Sequence, residues 1–298
     1  MTARLHHPAR TVAADGFDVL LTPETAGWGY SGLMVLTLQA GERRELVLDG
    51  VEAMVLPLGI TDLRVEIGDE SFVLQGRTSV FDRVSDFVYA PLGATLRLTA
   101  STAGDVAIAT ARCEQVHPAA RCSAADVQVD VFGAGPATRQ RNALMAPEAW
   151  SAAHRLMCVE LLTPDGNWSS YPPHRHDESP EYPVNNEEIY FFRMGALEGR
   201  DAAAAFGMHR TYTPEGDIDE NVVVRDGDVF CVPRGYHGPC IAAPGYPMYY
   251  LNVLAGPSGE RSMAFCDDPA HHWVRDTWAD MVRDPRVPMT DHQGRRTP

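Results

Sequence analysis

The sequence predicts an all-β fold, a sandwich or a barrel, on three observations. Residues 63–67, 94–99 and 127–131 alternate apolar with polar side chains, which is the pattern of a strand with one buried face. Residues 189–194 and 229–232 are almost continuously apolar or aromatic, as in strands that are covered on both faces. Glycine and proline, 25 and 22 residues respectively, punctuate these short segments. This pattern favours an all-β over an α/β architecture.

Helical signals are few. Residues 147–156 and 271–282 have the composition of short helices. The Gly- and Pro-containing stretch that begins at Gly133 indicates a boundary within residues 134–150. The predicted organisation is an N-terminal barrel over residues 1–140, a C-terminal barrel over residues 141–284 and a loose tail over residues 285–298.

A weak internal repeat indicates that the two halves are related. The segment FVYAPLGAT at residues 87–95 resembles VFCVPRGYH at residues 229–237, with Thr95 in the place of His237. The first half has no histidine between residues 8 and 116, so it cannot supply an imidazole-rich metal site. We therefore expect a structural or dimerising role for the first half, which allows a homo-oligomer.

Composition excludes several classes of function. A net charge of −15, with only 25 Lys and Arg, argues against a nucleic-acid surface, although a few arginines in a pocket can still bind a small anion. There is no apolar stretch long enough to span a bilayer, and the first 16 residues lack the apolar core of a secretory signal. The six cysteines show no CxxC spacing, as is usual in a reducing compartment. We expect a cytoplasmic protein without nucleic-acid or membrane partners.

Four residues of the second half have the chemistry of a metal site. His174 and His176 are two residues apart, so an extended strand directs both imidazoles to one face. Glu188 and His237 would add a carboxylate and a third imidazole. Three histidines and one glutamate leave positions open on a divalent ion that accepts five or six ligands. Zn, Mn, Fe and Co are all compatible with this set.

These segments match the two cupin motifs. The first is HxH followed by Glu188 and, after six residues, Gly195; the second runs from Gly227 through Pro-x-Gly to His237. Eleven residues separate His176 from Glu188, which is more than the usual cupin spacing, so the intervening residues should form a loop. An isolated HxH is more often a pair of surface or hydrogen-bonded histidines, and only the combination indicates a metal.

The chain resembles the 5-deoxy-glucuronate isomerase family of inositol catabolism. The resemblance is carried by GNWSSYPPHRHD at 166–177, EEIYFFR at 187–193, residues 226–237 and YYLNVLAGP at 249–257. It implies a bicupin, two double-stranded β-helix (jelly-roll) barrels, that interconverts 5-deoxy-glucuronate and 5-dehydro-2-deoxy-gluconate. The chain is also similar to a related uronate isomerase in which the corresponding HxH, Glu and His bind metal.

Such an aldose–ketose isomerisation needs a base and proton donors near the metal. Glu187 adjoins a ligand and is a candidate base, but neighbouring strand residues face opposite ways, so a supporting role is equally expected. Tyr171 and Tyr250 are candidate donors to substrate oxygens, as is Tyr190. Asp177 could orient a ligating histidine.

The substrate carboxylate should bind a guanidinium group. Arg210 is the preferred candidate by elimination, because Arg193 and Arg175 should both face away from the metal in ideal strands. His209, beside Arg210, is expected to be structural and not a fifth ligand.

Two further functions compete with the isomerase. A cupin dioxygenase could use Fe(II) in the same ligand set, and its signature would be oxygen uptake. A non-catalytic sugar-binding cupin would lack metal or would tolerate loss of His176.

Overall fold

The computed structural model describes residues 4–177 and 184–294, and in these ranges the chain is built almost entirely of antiparallel strands. Two single-turn α-helices are present, α1 (Pro23–Ala26) and α2 (Val274–Thr277), with 3₁₀ turns at Ala202–Ala204 and Trp278–Asp280. None of the helices in the described residues is long and apolar enough to cross a membrane. The strands are β1 (His6–His7), β2 (Val19–Leu21), β3 (Ser31–Leu38), β4 (Arg43–Val47), β5 (Val51–Pro57), β6 (Thr61–Ile67), β7 (Glu70–Gly76), β8 (Phe87–Ala90), β9 (Thr95–Ala100), β10 (Gly104–Arg112), β11 (Ala120–Cys122), β12 (Gln128–Phe132), β13 (Arg139–Ala143), β14 (Met157–Thr163), β15 (Trp168–Ser169), β16 (His174–Arg175), β17 (Glu187–Met194), β18 (Gly207–Tyr212), β19 (Asp219–Val224), β20 (Val229–Val232), β21 (Tyr236–Ala242), β22 (Met248–Ala255) and β23 (Cys266–Asp267).

Each half of the chain forms a two-layered barrel. In the first, the sheet β11-β8-β5-β10-β3-β2 packs against the sheet β4-β9-β6-β7. In the second, the sheet β1-β20-β17-β22-β14-β13-β12 packs against β19-β18-β21-β16-β23, with β15 added alongside β21. A third apolar core lies between the barrels and draws side chains from both. The predicted all-β, two-barrel fold is confirmed.

The continuous apolar strands of the second half separate two cores. Along β22, Tyr249, Leu251 and Val253 pack in the core between the barrels, whereas Met248 and Tyr250 pack inside the second barrel. Both faces of this strand are therefore covered, which is why its sequence does not alternate. The same alternation along β17 directs the side chains of Glu187 and Glu188 to opposite faces of the sheet.

The predicted helix over residues 147–156 is wrong, whereas part of residues 271–282 is helical as α2 and the following 3₁₀ turn. In the first segment the backbone N–H groups of His154, Arg155 and Leu156 donate to the Glu52 carboxylate, at 2.9, 2.6 and 2.8 Å. Because those donors bind a side chain of the other barrel, they cannot form the backbone ladder of a helix.

The sheets divide at a different point from the predicted boundary at residue 140. Strand β13 pairs with β14 in the second barrel, β12 pairs with β13, and β1 joins the same sheet through β20. A division at residue 140 would therefore cut β13, although no test of independent folding bears on the predicted domains. These strands belong to the second barrel because of their hydrogen-bonded pairing, whatever their order along the chain.

Residues 285–294 are packed, which corrects the predicted loose tail over its described part. The Gln140 side chain accepts from the Met289 N–H at 2.7 Å and donates to the Thr290 carbonyl at 3.0 Å. The Val84 N–H, from the first barrel, donates to the Asp291 carbonyl at 3.0 Å. Thr290 is 1% exposed. This segment thus fastens the two barrels to each other.

Candidate metal centre and cavity

Three histidines meet inside the second barrel. His174 in β16 lies opposite His237 in β21, and their ring centroids are 4.6 Å apart. His176 follows directly after β16, with its ring 5.3 Å from each of the other two. One ring nitrogen from each residue lies within 4.8 Å of the others. Imidazoles at this spacing can share one ion.

Glu188 enters the same cluster from β17. Side chains of that strand alternate, so Glu188 shares the inner face with Tyr190 and Phe192, and is 4% exposed. Its Oε2 atom lies 3.0 Å from His237 Nε2 and 3.9 Å from His176 Nε2. The predicted ligand set is therefore brought together in space.

The polar atoms of this cluster lack partners where a cation would be expected. Glu188 Oε2 and both ring nitrogens of His237 are buried without a hydrogen bond among the described residues. The 3.0 Å separation between Glu188 and His237 lacks hydrogen-bond alignment, as expected of two ligands that point at a shared ion. Buried polar atoms are seldom left unpaired unless a ligand satisfies them. The donor set thus fits a divalent metal.

Backbone carbonyls orient two of the imidazoles. His174 Nδ1 lies 3.2 Å from the Pro172 carbonyl, and His176 Nδ1 lies 2.8 Å from the Ala264 carbonyl. A carbonyl only accepts, so Nδ1 carries the proton in both rings and Nε2 is free to bind a metal.

The electrostatics of the cluster favour the ligating protonation states. Burial, with the neighbouring rings of His237 and His176, holds the pKa of His174 well below its ordinary value. Burial also lowers the pKa of His176. Burial alone would raise the pKa of Glu188, but the attraction of His237 and His176 outweighs it and lowers that pKa. The lowered pKa values of His174 and His176 favour neutral imidazoles, and that of Glu188 favours an ionised carboxylate, as metal binding needs.

The segment before His237 is fixed by a glycine and by Asp177. Gly235 has φ +88, and a Cβ there would lie 2.7 Å from the Tyr212 carbonyl oxygen, so no other residue fits. Its N–H donates to Asp177 Oδ2 at 2.8 Å. This hydrogen bond places Asp177, a candidate to orient a ligating histidine, against the backbone two residues before His237. Most of the predicted loop between His176 and Glu188, residues 178–183, lies outside the described residues.

A cavity opens over the cluster. Tyr250, a predicted catalytic residue, lines it, and its hydroxyl donates to Ser169 Oγ at 3.0 Å. The amide nitrogen of Asn252 is buried in the wall without a hydrogen-bond partner among the described residues. The cavity is lined by Phe132, Arg139, Arg141, Val159, Leu161, Ser170, His174, His176, Glu188, Tyr190, Tyr250, Asn252, Met263, Phe265 and Arg275. It combines apolar walls with a few polar groups, as small-molecule sites do.

None of the arginines predicted to bind substrate lines this cavity. Arg210 is on the outer side of β18 and pairs with Asp219 at 3.1 Å. Arg193 lies on the face of β17 opposite Glu188, where it pairs with Asp105 and Asp226. Arg175 turns away between its two histidine neighbours, towards Asp177 and the Tyr236 ring. The structure instead brings Arg139, Arg141 and Arg275 to the cavity.

Two of the predicted catalytic residues also lie elsewhere. Glu187 faces the first barrel and accepts hydrogen bonds from the N–H groups of Gly29, Tyr30 and Ser31 at 2.6, 2.8 and 2.9 Å. Tyr171 packs edge-on against Trp168, with ring centroids 5.3 Å apart, and is not among the cavity residues. Glu187 therefore joins the barrels and does not reach the metal cluster.

His209 is a core residue, as its predicted structural role requires. It is 0% exposed, and its ring nitrogens lie 3.0 Å from Cys240 Sγ and 3.0 Å from Thr211 Oγ1. Burial lowers its pKa well below the ordinary value. Both nitrogens are occupied, so His209 is not a fifth ligand.

Comparison with known proteins assigns the fold and the family. The model of the KduI/IolB family matches residues 5–274. The chain belongs to the KduI/IolB family. A 5-deoxy-glucuronate isomerase of Geobacillus kaustophilus is 37% identical over 92% of this chain and 96% of its own length. The enzyme of the same name from Halalkalibacterium halodurans is 31% identical, over 92% of this chain and 99% of that protein.

Solved structures agree with this family. An IolB-like protein of Salmonella typhimurium superimposes with a TM-score of 0.82 at 30% identity, covering 91% of this chain and 99% of that one. Oxalate decarboxylase of Lactobacillus farciminis matches with a TM-score of 0.63 at 11% identity over 90% of this chain and 89% of its own, a likeness of fold alone. The predicted bicupin fold and isomerase class of this family member are confirmed.

The position of Glu187 gives a first prediction for this family member. Replacing Glu187 with alanine should lower the free energy of unfolding by about 2 kcal/mol, because three partly buried N–H groups lose a charged acceptor. The turnover number should stay close to that of the unchanged protein, since the side chain does not reach the cavity. Urea unfolding and a kinetic assay measure the two quantities. A large loss of turnover without loss of stability would restore Glu187 as a catalytic candidate.

Proposed function

We propose that this protein is a metal-dependent aldose–ketose isomerase that converts 5-deoxy-glucuronate to 5-dehydro-2-deoxy-gluconate. The relatives of the same family bear the name of that activity. The observation that carries the proposal is the convergence of His174, His176, His237 and Glu188 beside a cavity. Glu188 Oε2 and both ring nitrogens of His237 are buried there without a hydrogen-bond partner among the described residues. A non-catalytic sugar-binding protein would have no need of such a cluster.

In this proposal the three histidines and Glu188 hold a divalent ion, Zn, Mn or Fe. When bound, such an ion polarises a carbonyl oxygen and stabilises the negative charge of an enediolate. The imidazoles are held in their ligating form by their carbonyl partners and by burial. The carboxylate of Glu188 offsets part of the charge of the ion.

The hydroxyl groups of the cavity position the sugar. Burial raises the pKa of Tyr190 and of Tyr250 above the ordinary phenol value, so both phenols stay protonated at neutral pH and do not act as bases. Ser170 Oγ lies 3.3 Å from the Tyr190 hydroxyl and 3.0 Å from that of Tyr250, which links the two rings in one network. The free amide of Asn252 adds a donor for a substrate oxygen.

The decisive experiment is an anaerobic assay with 5-deoxy-glucuronate, followed by NMR. We expect the aldehyde proton signal to disappear with a matching rise of ketose signals, and metal analysis to find about one divalent ion per chain. A chelator should stop the reaction, and adding a divalent ion back should restore it. Consumption of oxygen in air, with no reaction in its absence, would indicate a cupin dioxygenase. Binding without turnover in the metal-loaded protein would indicate a sugar-binding cupin.

The same proposal places the reaction in inositol catabolism in the cytoplasm. All six cysteines are free, and four of them are buried, as is usual in proteins of reducing compartments. The cavity suits a small metabolite, not a polymer.

A further inference from the structure

One arginine of the cavity, Arg139, has no acidic partner among the residues that the structure describes. Arg139 begins β13, a strand whose alternation directs Arg139 and Arg141 towards the cavity and turns Gln140 and Asn142 to the opposite side. Gln140 bonds to Thr290, and Asn142 donates to Glu160, both in the region between the barrels. The two arginines therefore lie in the wall that faces the metal cluster.

The other two cavity arginines are neutralised by neighbouring carboxylates. Arg141 pairs with Asp130 at 2.7 Å and with Glu148 at 2.8 Å. Arg275 pairs through two nitrogens with Asp267. Their charges are thus satisfied within the protein, and neither needs a ligand.

Arg139 makes only neutral contacts among the described residues. Its Nη1 donates to the carbonyls of Ala137 and Tyr171, at 3.0 and 3.4 Å. Its guanidinium carbon lies 5.9 Å from the Phe132 ring and 5.7 Å from that of Trp278. No carboxylate in residues 4–177 and 184–294 lies within 4.0 Å of it. The remaining N–H donors of the fork are not used by these contacts.

Burial makes this isolated charge unusual. Arg139 is 8% exposed, and burial, together with the nearby Arg275, lowers its pKa to about 10. The side chain is still protonated at neutral pH. A buried charge without a partner is destabilising, so it is retained in sites where a ligand of opposite charge completes it.

We propose that Arg139 binds the carboxylate of the sugar acid and is the specificity-determining residue of this site. A planar guanidinium matches a carboxylate through two parallel hydrogen bonds, which fixes orientation as well as position. With the acid end held in the β13 wall, the aldehyde end of a short sugar extends towards His174, His176 and Glu188, which line the same cavity. The inference rests on the proposed function for the identity of the substrate, but the binding step is separable from turnover.

The test compares a charged ligand with its neutral counterpart. Calorimetry on the metal-loaded protein would measure the affinity for 5-deoxy-glucuronate and for 5-deoxy-glucose, in which CH₂OH replaces the carboxylate. In Arg139→Gln we expect the affinity for the uronate to fall on the order of 100-fold, with the affinity for 5-deoxy-glucose unchanged. Arg139→Lys should recover part of the loss, because it keeps the charge without the fork. Where turnover is observed, the change should appear mainly in KM.

Arg210→Gln is the matched control, since Arg210 pairs with Asp219 outside the cavity, and it should bind both sugars as the unchanged protein does. Metal content and melting temperature verify that each variant is folded and loaded. An equal loss for both sugars, or unchanged uronate binding in Arg139→Gln, would overturn the inference. If the protein binds the uronate selectively through Arg139 but does not isomerise it, the inference is supported and the proposed function fails. The two failures are therefore distinguishable.

Discussion

Replacing His237 with alanine should remove the bound divalent ion and lower kcat/KM for 5-deoxy-glucuronate by a factor on the order of 1000 or more. His237 is 1% exposed, and its Nε2 lies 3.0 Å from Glu188 Oε2, so its loss removes one proposed ligand and the neighbour of another. Metal polarisation of a carbonyl is worth several kcal/mol of transition-state stabilisation, which corresponds to this factor. Metal analysis and steady-state kinetics on the same samples measure both effects.

His272→Ala is the matched control for that variant. The His272 side chain is 60% exposed and pairs with Asp267 outside the cluster, so metal content and activity should remain. His174→Ala should behave like His237→Ala, because both rings supply a nitrogen to the same group. If His237→Ala keeps its ion and turns over 5-deoxy-glucuronate at the normal rate, the proposed metal site is wrong.

The residues of the proposed metal site could be found from sequence because strand parity and motif spacing act locally. Two histidines two residues apart share one face of any extended segment, and β21 places His237 opposite His174 through ordinary antiparallel pairing. The same parity distinguishes Glu188 from Glu187, since one points into the barrel and the other towards Gly29 to Ser31. The same alternation also predicts that Arg193 and Arg175 face away from the cluster, and both do.

Arg139, the residue proposed to bind the substrate carboxylate, could not be found in the same way. Arg139 lies in a polar stretch, RQRNA, that has the composition of a linker and follows a run of Gly and Pro. One face of this strand lines the cavity, and the other lies at the contact between the barrels. Both faces carry polar residues, so no apolar alternation marks the segment as a strand. Elimination among the other arginines favours Arg210 instead, because its exposed ion pair with Asp219 is visible only in three dimensions. The signal that the sequence did offer for a cavity arginine was the spacing of Arg139 and Arg141, two residues apart at the start of the second barrel.

The contact between the two barrels was likewise invisible in the sequence. Carboxylates are among the groups that form it: Glu52 and Glu187 accept backbone N–H groups from the opposite barrel, and Glu160 accepts from Arg77. Such pairings join residues about 80 to 160 positions apart, so no local pattern predicts them. They also explain why residues 147–156, which have helical composition, do not form a helix.

The pair between Arg77 and Glu160 carries the second large expected effect. Both side chains are 0% exposed, and Glu160 also accepts from Tyr249 at 2.8 Å and from Asn142 at 2.9 Å. Burial alone would lower the pKa of Arg77, but the attraction of Glu160, aided by Tyr249, raises it. Glu160→Leu should therefore lower the free energy of unfolding by about 3–5 kcal/mol, because it leaves a buried guanidinium without its carboxylate. Urea unfolding monitored by tryptophan fluorescence measures the loss.

The double variant separates the charge from the packing. In Arg77→Met combined with Glu160→Leu the unpaired cation is gone, so the double variant should be more stable than Glu160→Leu alone, even though Tyr249 and Asn142 still lack their acceptor. Equal stability of the single and double variants would mean that the loss comes from those two donors and not from the isolated charge. Because the pair lies between the barrels and away from the metal cluster, metal content should be unchanged in the folded double variant. Its stability then reports on the joining of the barrels, independently of the chemistry of the site.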